Sequence, residues 1–123
     1  MLESNKLVGF ATTTNPEKAR QFFENALGLK FINDDGFAMV FRAGDTMVRV
    51  VKAKEFKPVS YTILGWEVKN IEKLATGLTE RGVKFEKFQG LPQDDLGIWT
   101  TPSGSKVGWF KDPDGNLLSI SEH

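Results

Sequence analysis

The residues Asn15–Leu29, NPEKARQFFENALGL, carry the period that decides the fold. Asn15 has a side-chain oxygen suited to capping free backbone N–H groups. Pro16 follows at the first helical position, where a missing N–H leaves no bond unmade. Ala19, Phe22, Phe23, Ala26 and Leu27 then fall at i, i+3, i+4, i+7 and i+8, one face of an amphipathic helix that Gly28 closes.

On either side of this helix the period changes from about 3.6 to 2. Lys6 to Thr14 is rich in Val, Phe and Thr and reads as a strand. After the helix come LKFIN, a turn at Asp34-Asp35-Gly36, FAMVFR, a turn at Ala43-Gly44-Asp45, and TMVRVVK, which read as three short strands joined by tight turns. The order then repeats. Tyr61 to Val68 is a strand, and Asn70 caps a helix with Ile71, Leu74, Ala75 and Leu78 on one face and Gly82 at its end. Gly82-Val83-Lys84-Phe85 answers Gly28-Leu29-Lys30-Phe31, so VKFEKF matches LKFIN. GIWTT, a turn at Pro102-Ser103-Gly104, KVGWFK, the Asp112–Asn116 turn and LLSIS complete the second set.

The pattern predicts an α+β chain of two tandem βαβββ modules in one domain, 1–123. Module one spans about 6–52, a linker without periodicity covers 53–60, and module two spans about 61–122. A helix on one face of each sheet leaves the other face concave. Two such sheets joined side by side, as one curved mixed sheet, enclose a central cleft fit for a small ligand.

Composition narrows the chemistry. A chain of 123 residues buries about two-thirds of the surface its unfolded form exposes. Lys plus Arg and Asp plus Glu are 16 each, and the signs are interspersed, so no net field draws nucleic acid or anionic lipid. There is no cysteine, and the single histidine is His123, which excludes thiolate sites, catalytic triads and multi-histidine metal sites within one chain. No signal-peptide pattern or membrane-length apolar run is present, so a soluble cytoplasmic protein is expected. Ten Phe and three Trp exceed what a small core needs and leave material for a pocket.

The helix-one segment together with Phe110–Ile120, FKDPDGNLLSI, resembles the vicinal oxygen chelate superfamily, the glyoxalase, bleomycin-resistance and extradiol dioxygenase proteins, over nearly the whole chain. Metal-dependent members carry His, Gln or Glu ligands on four central strands, and their metal acts as a Lewis acid on two substrate oxygens. Matched to that pattern, the four ligand positions fall on Val8, Arg49, Ile63 and Ser119. Hydrocarbon side chains and a guanidinium are not metal ligands, and a lone serine is a poor one. A slip of one residue supplies one hydroxyl among the neighbours and turns every side chain to the opposite face. No metal or other cofactor is therefore expected.

With Val8 facing inward, alternation brings Phe10 and Thr12 to the same side, Arg49 brings Met47 and Val51, Ile63 brings Gly65 and Glu67, and Ser119 brings Leu117 and Ser121. The resemblance places Val107 and Trp109 inward, with Phe110 toward the helices and Trp66 away from the cleft; Trp99 stays unoriented. The candidate ligand-binding residues are thus Phe10, Thr12, Met47, Arg49, Ile63, Glu67, Val107, Trp109 and Ser119, with no catalytic or metal-binding residue assigned. Arg49 is open to two readings, a bidentate donor to a ligand anion or a partner that neutralises Glu67. Trp109 serves a ligand or fills the core, and Gly65 opens space or marks a close approach of backbones. Gly90–Gly97 reads as a mobile lip over the cleft or as a plain connection. The acidic pairs Asp34-Asp35 and Asp94-Asp95 read as exposed turns, and the DPDG sequence reads as a turn rather than a calcium loop.

Two functions compete. The first is a metal-free binding protein, of the bleomycin-resistance type, holding an aromatic or amphipathic small molecule. The second is an enzyme of the superfamily, a lyase, isomerase or dioxygenase, either metal-independent with Glu67 and Arg49 as catalytic groups or metal-dependent. The resemblance further implies a homodimer.

Overall fold

Ala19 and Phe23, four residues apart on the first helix, are wholly buried, and the Phe23 ring lies 5.7 Å from that of Phe41 on a neighbouring strand. This contact fixes the helix to one face of its sheet. A computed structural model describes Met1–His123 and divides the chain into two compact units, Met1–Pro58 and Val59–His123.

The first unit runs β1 (Val8–Thr13), α1 (Pro16–Arg20), a π-helical continuation (Gln21–Ala26), β2 (Lys30–Asp34), β3 (Ala38–Ala43) and β4 (Thr46–Lys52). Asn15 caps α1 as its residue type predicts, its Oδ1 accepting from the Lys18 N–H at 3.2 Å. Beyond Arg20 the ladder widens, and Leu27 N–H reaches the Phe22 carbonyl, five residues back, at 2.9 Å. The widening rotates the apolar stripe, so Ala19 and Phe23 are buried while Phe22, Ala26 and Leu27 are only half-buried.

The sheet order is β1-β4-β3-β2, with β1 parallel to β4 and the other pairs antiparallel. Ala11, Met39, Phe41, Val48 and Val50 are buried on the helix side. A bulge at Ile32 lets Phe31 pair with Phe41 on that side, ring centroids 5.6 Å apart, and puts Asn33 opposite Val40.

The β2–β3 turn is held by its two acids. Asp35 Oδ1 accepts from the N–H groups of Phe37 (3.0 Å) and Ala38 (2.9 Å), and its Oδ2 accepts from Arg49 Nη2 at 2.6 Å. Asp34 accepts from the Gly36 N–H at 2.9 Å and from Lys52 Nζ at 2.6 Å. The Arg49 hydrogen bond, with smaller help from the Ala38 and Phe37 amides, lowers the Asp35 carboxyl to a pKa of about 2.

The second unit runs β5 (Thr62–Glu67), α2 (Ile71–Glu80), β6 (Trp99–Thr100), β7 (Lys106–Lys111) and β8 (Leu117–Glu122), in the order β5-β8-β7-β6 with β5 parallel to β8. Ile71, Ala75 and Leu78 of α2, with Phe110, Leu118 and Ile120 of the sheet, are buried. Leu74, on the predicted apolar face, is exposed. The Asp112–Asn116 turn is closed by Asp112, whose carboxylate accepts from the Asn116 N–H and side-chain amide, both at 2.8 Å, while Gly115 takes the positive φ of 89°. Burial raises the Asp112 pKa against the pull of those bonds.

Two expectations for this unit are corrected. VKFEKF forms no ladder strand: it touches the sheet through a single bridge, Phe85 to Phe110, with the Glu86 N–H on the Trp109 carbonyl at 2.8 Å. Asn70 does not cap α2 with its side chain. It takes a left-handed backbone, φ 55°, and the cap comes from the far end of the chain, where Glu122 Oε1 accepts from the Ile71 N–H at 2.9 Å. No helix is long and apolar enough to cross a membrane.

Three outcomes follow from these features. Glu122→Ala lowers the unfolding free energy by about 1 kcal/mol in urea denaturation, the worth of a helix cap. Asn70→Ala costs a similar amount, about 1 kcal/mol, because its Cβ resists the left-handed conformation, whereas Asn70→Gly is tolerated. Equal tolerance of Ala and Gly at position 70 overturns the backbone account. For Asp35 the lowered pKa stabilises the fold above the ordinary carboxylate value, about 4, and that stabilisation is lost as pH falls through about 2. Carboxyl-detected NMR should find Asp35 titrating near 2 in the parent and moving up in Arg49→Met. An unmoved titration means Arg49 is not its partner.

Candidate functional site

In each unit the helix covers one sheet face, and strand alternation assigns the remaining residues to the other. In the first unit the register Phe10–Arg49–Val40 and Val8–Met47–Arg42 lays these residues in two adjacent rows on the face away from α1. Thr12 pairs with Val51 in the next row. Four predicted residues, Phe10, Thr12, Met47 and Arg49, therefore share one face. Phe10 is 56% exposed and Met47 41%, which leaves hydrocarbon available for contact.

The carboxylate that neutralises Arg49 is Asp35, from the adjoining turn, rather than Glu67. Of the two readings open for Arg49, the one that pairs it with a carboxylate takes Asp35 as the partner, which gives the Asp34-Asp35 turn a positioning role that its exposure alone does not announce. Arg49 is held by one nitrogen to one carboxylate oxygen, so the guanidinium keeps further donors.

In the second unit the rows are Gly65–Ser119–Trp109 and Glu67–Ser121–Val107, extended to Trp99 by the pair Trp99–Val107. Glu67, Val107, Trp109 and Ser119 are thus together on the face away from α2, and Trp66, paired with buried Ile120, points to the helix side as predicted. Ile63 departs from the prediction. A bulge between Thr62 and Leu64 leaves it without a register partner, and alternation from Gly65 does not carry through to it.

The main feature of this face is aromatic. The Trp99 and Trp109 rings are stacked, centroids 6.2 Å apart and planes 24° from parallel, and the Phe88 ring meets Trp109 edge-on at 5.4 Å. Both tryptophans are only half-buried, and Phe88 is exposed. Trp99 and Phe88 escape sequence reasoning for a plain reason. Trp99 sits on a two-residue strand whose register depends on β7, and Phe88 lies in a segment without regular structure. Three Trp in a short chain was the available signal.

The segment behind this cluster is knitted rather than loose. Gln93 Oε1 accepts from the Phe88 N–H at 2.7 Å, and its Nε2 donates to the carbonyls of Glu86 (2.9 Å) and Gly97 (2.8 Å). Asp94 Oδ1 accepts from the N–H groups of Leu96 and Ile98. Gly90–Gly97 is thus built as a brace for Phe88 and Trp99, a role that neither the lip nor the plain-connection reading describes.

Polar points border the aromatic face. A Cβ placed on Gly65 would lie 2.6 Å from Ser119 Oγ, so the glycine makes room for that hydroxyl rather than for a close approach of backbones. His123 spans Ser121 Oγ (3.1 Å from Nε2) and Ser105 Oγ (3.3 Å from Nδ1), which ties down the terminal residue. Glu67 is exposed, so it lacks the apolar burial that the catalytic reading asks for.

The superfamily's metal does not fit here. Val8, Ile63, Arg49 and Ser119 offer two hydrocarbon groups, a guanidinium already donating to Asp35, and one hydroxyl. Nowhere do three His, Asp or Glu side chains gather as a metal cluster.

Comparison with known proteins agrees with the architecture. No curated protein matches the sequence. Among solved structures, a member of the glyoxalase/bleomycin resistance protein/dioxygenase superfamily from Sphaerobacter thermophilus shares 25% identity over 100% of both chains, TM-score 0.78. A lactoylglutathione lyase from Agrobacterium tumefaciens shares 15% over 99% of this chain and 96% of its own, TM-score 0.76. A glyoxalase/bleomycin resistance protein from Catenulispora acidiphila shares 18% over 98% and 99%, TM-score 0.74. The latter two likenesses speak for the fold alone. The family model covers residues 7–120, both modules from β1 to the last strand, and the chain belongs to the glyoxalase/bleomycin resistance protein/dioxygenase superfamily.

Proposed function

We propose that this chain is a metal-free binding member of its superfamily that holds a planar aromatic or amphipathic small molecule against the open face of the second module. The observation that carries this reading is the half-buried Trp99–Trp109 stack with Phe88 against its edge. Aromatic rings in a finished core are covered on both sides, whereas these keep accessible surface and are braced from behind by Gln93 and Asp94. A rigid, partly exposed aromatic platform contributes stacking with little loss of side-chain freedom on binding.

Chemistry at this face is limited to recognition. Ser119 and Ser121 bring hydroxyls to the rows beside Trp109 and Val107, and Glu67 adds a carboxylate at the β5 edge. These groups orient a ligand by hydrogen bonds. Acid–base work by Glu67 has weaker support, because its carboxylate is exposed. Arg49, the other group of that reading, is held by Asp35 in the first module.

The test uses 8-anilinonaphthalene-1-sulfonate, an aromatic probe whose emission rises on apolar contact. Saturable binding to the parent is expected, with Trp109→Ala weakening it about tenfold, since stacking is worth about 1 kcal/mol beyond the area buried. Circular dichroism and urea denaturation confirm that the variant is folded. An unchanged dissociation constant in folded Trp109→Ala, or no saturable binding by the parent, would overturn the proposal.

A further inference from the structure

The open face of the first module carries a concave feature of its own. A cavity of about 310 Å³ is walled by Leu7, Val8, Ile32, Val40 and Met47. Four of these, all but Val40, are exposed hydrophobics, Leu7 at 75% and Ile32 at 46%. The bulge at Ile32 contributes an extra residue at this wall of β2.

The charges around this cavity are lopsided. Lys6 and Arg42 line it together with one acid, Asp45. The register row Lys30–Arg42–Met47–Val8 adds a third cation on the same face, so the row runs from two positive side chains to two apolar ones across four strands. The ion pairs of the first module engage Arg20, Arg49 and Lys52; of the module's strand cations Lys30 and Arg42 have no carboxylate partner, nor do Lys6, Lys18, Lys54 and Lys57 outside the strands. Elsewhere the chain pairs its strand cations with acids, as at Lys106–Glu72. An apolar cavity with unpaired cations on one side has the polarity of an amphipathic anion.

We infer that this cavity is a binding site for a singly charged amphipathic anion of modest length, such as a medium-chain carboxylate. The hydrocarbon is taken up between Val8, Ile32 and Met47, and the head group meets Arg42 and Lys6. The volume is at the low end for ligand pockets, on the order of 300 Å³, which favours a short chain over a full-length lipid. Arg42 supplies paired donors matched to a carboxylate or sulfate, and Lys6 adds a mobile point charge. The inference goes beyond the aromatic site, because it uses none of that site's residues.

The methionines provide a local readout. Met47 lines this cavity, Met39 is buried on the helix side of the same sheet, and Met1 is exposed at the N-terminus. Protein labelled with ¹³C at the methionine methyls is titrated with decanoate below its micelle concentration, and separately with decyltrimethylammonium. Decanoate should shift the Met47 methyl saturably and leave Met39 in place, and the cationic amphiphile should bind at least roughly tenfold more weakly. Lys6→Gln/Arg42→Gln should weaken decanoate by about tenfold or more, and Lys18→Gln, on the helix side, should leave it unchanged. Equal shifts from both amphiphiles, or unchanged decanoate affinity in the double variant, overturn the charge assignment. No Met47 shift overturns the site, and if decanoate then quenches tryptophan emission, the second-module reading stands while this one falls.

Discussion

The parallel pairing of the first and last strands within each module is the constraint on which the rest depends. β1 lies beside β4 and β5 beside β8, each pair running in one direction. Parallel neighbours cannot be joined by a tight turn, so the chain must leave the sheet and cross back over it, and the helix is what fills the crossing. The helix therefore covers a single face. On that face lie Phe41, Val48 and Val50 in the first module and Phe110, Leu118 and Ile120 in the second, all buried. The opposite face inherits whatever the alternate positions hold, and its composition is free of the demands of packing against the helix.

That freedom is used differently in the two modules. The first places branched hydrocarbon, methionine and cations on its uncovered face, and it anchors Arg49 through a turn carboxylate 14 positions upstream. The second places two tryptophans there and supports them with side-chain amide and carboxylate bonds to backbone. Neither arrangement gathers three carboxylate or imidazole groups around one point. The chain has the family fold, and fold and chemistry are independent, so its uncovered faces have to be read from their own residues.

Much of this is legible in the sequence. Asn15, Pro16 and the Ala19–Phe23 spacing mark the first helix; the resemblance supplies the inward positions Arg49, Ser119 and Trp109, and period-two alternation carries them to Phe10 and Met47, which the register puts on the face away from the helix. What escaped depends on register, on bulges or on distant contacts. Ile63 was lost because a bulge adds a residue to the alternation, and no local residue type announces it. The α2 cap was assigned to Asn70 by proximity, whereas Glu122 is 51 positions away in the chain and adjacent only after folding. VKFEKF has the composition of a strand, but a strand forms only where a neighbour presents its backbone, and here only Phe85 meets one. The partner of Arg49 belongs to the same class: Asp35 looked like a solvated turn residue, and only tertiary closure brings the two charges together.

Gly65 and Ser119 show how one position on such a face limits another. The hydroxyl of Ser119 occupies the volume that any larger residue at 65 would claim with its first side-chain carbon. Position 119 can therefore accept a longer side chain in that rotamer only on a glycine background, and an alanine at 65 would have to wait until the neighbour had turned aside. At Arg49 the dependency runs the other way: the guanidinium is tied to a turn whose own backbone amides share its acid, so replacing it disturbs a second structural element. Substitution on the last strand at 119 thus meets a glycine neighbour, whereas substitution at Arg49 on β4 also loosens the β2–β3 turn.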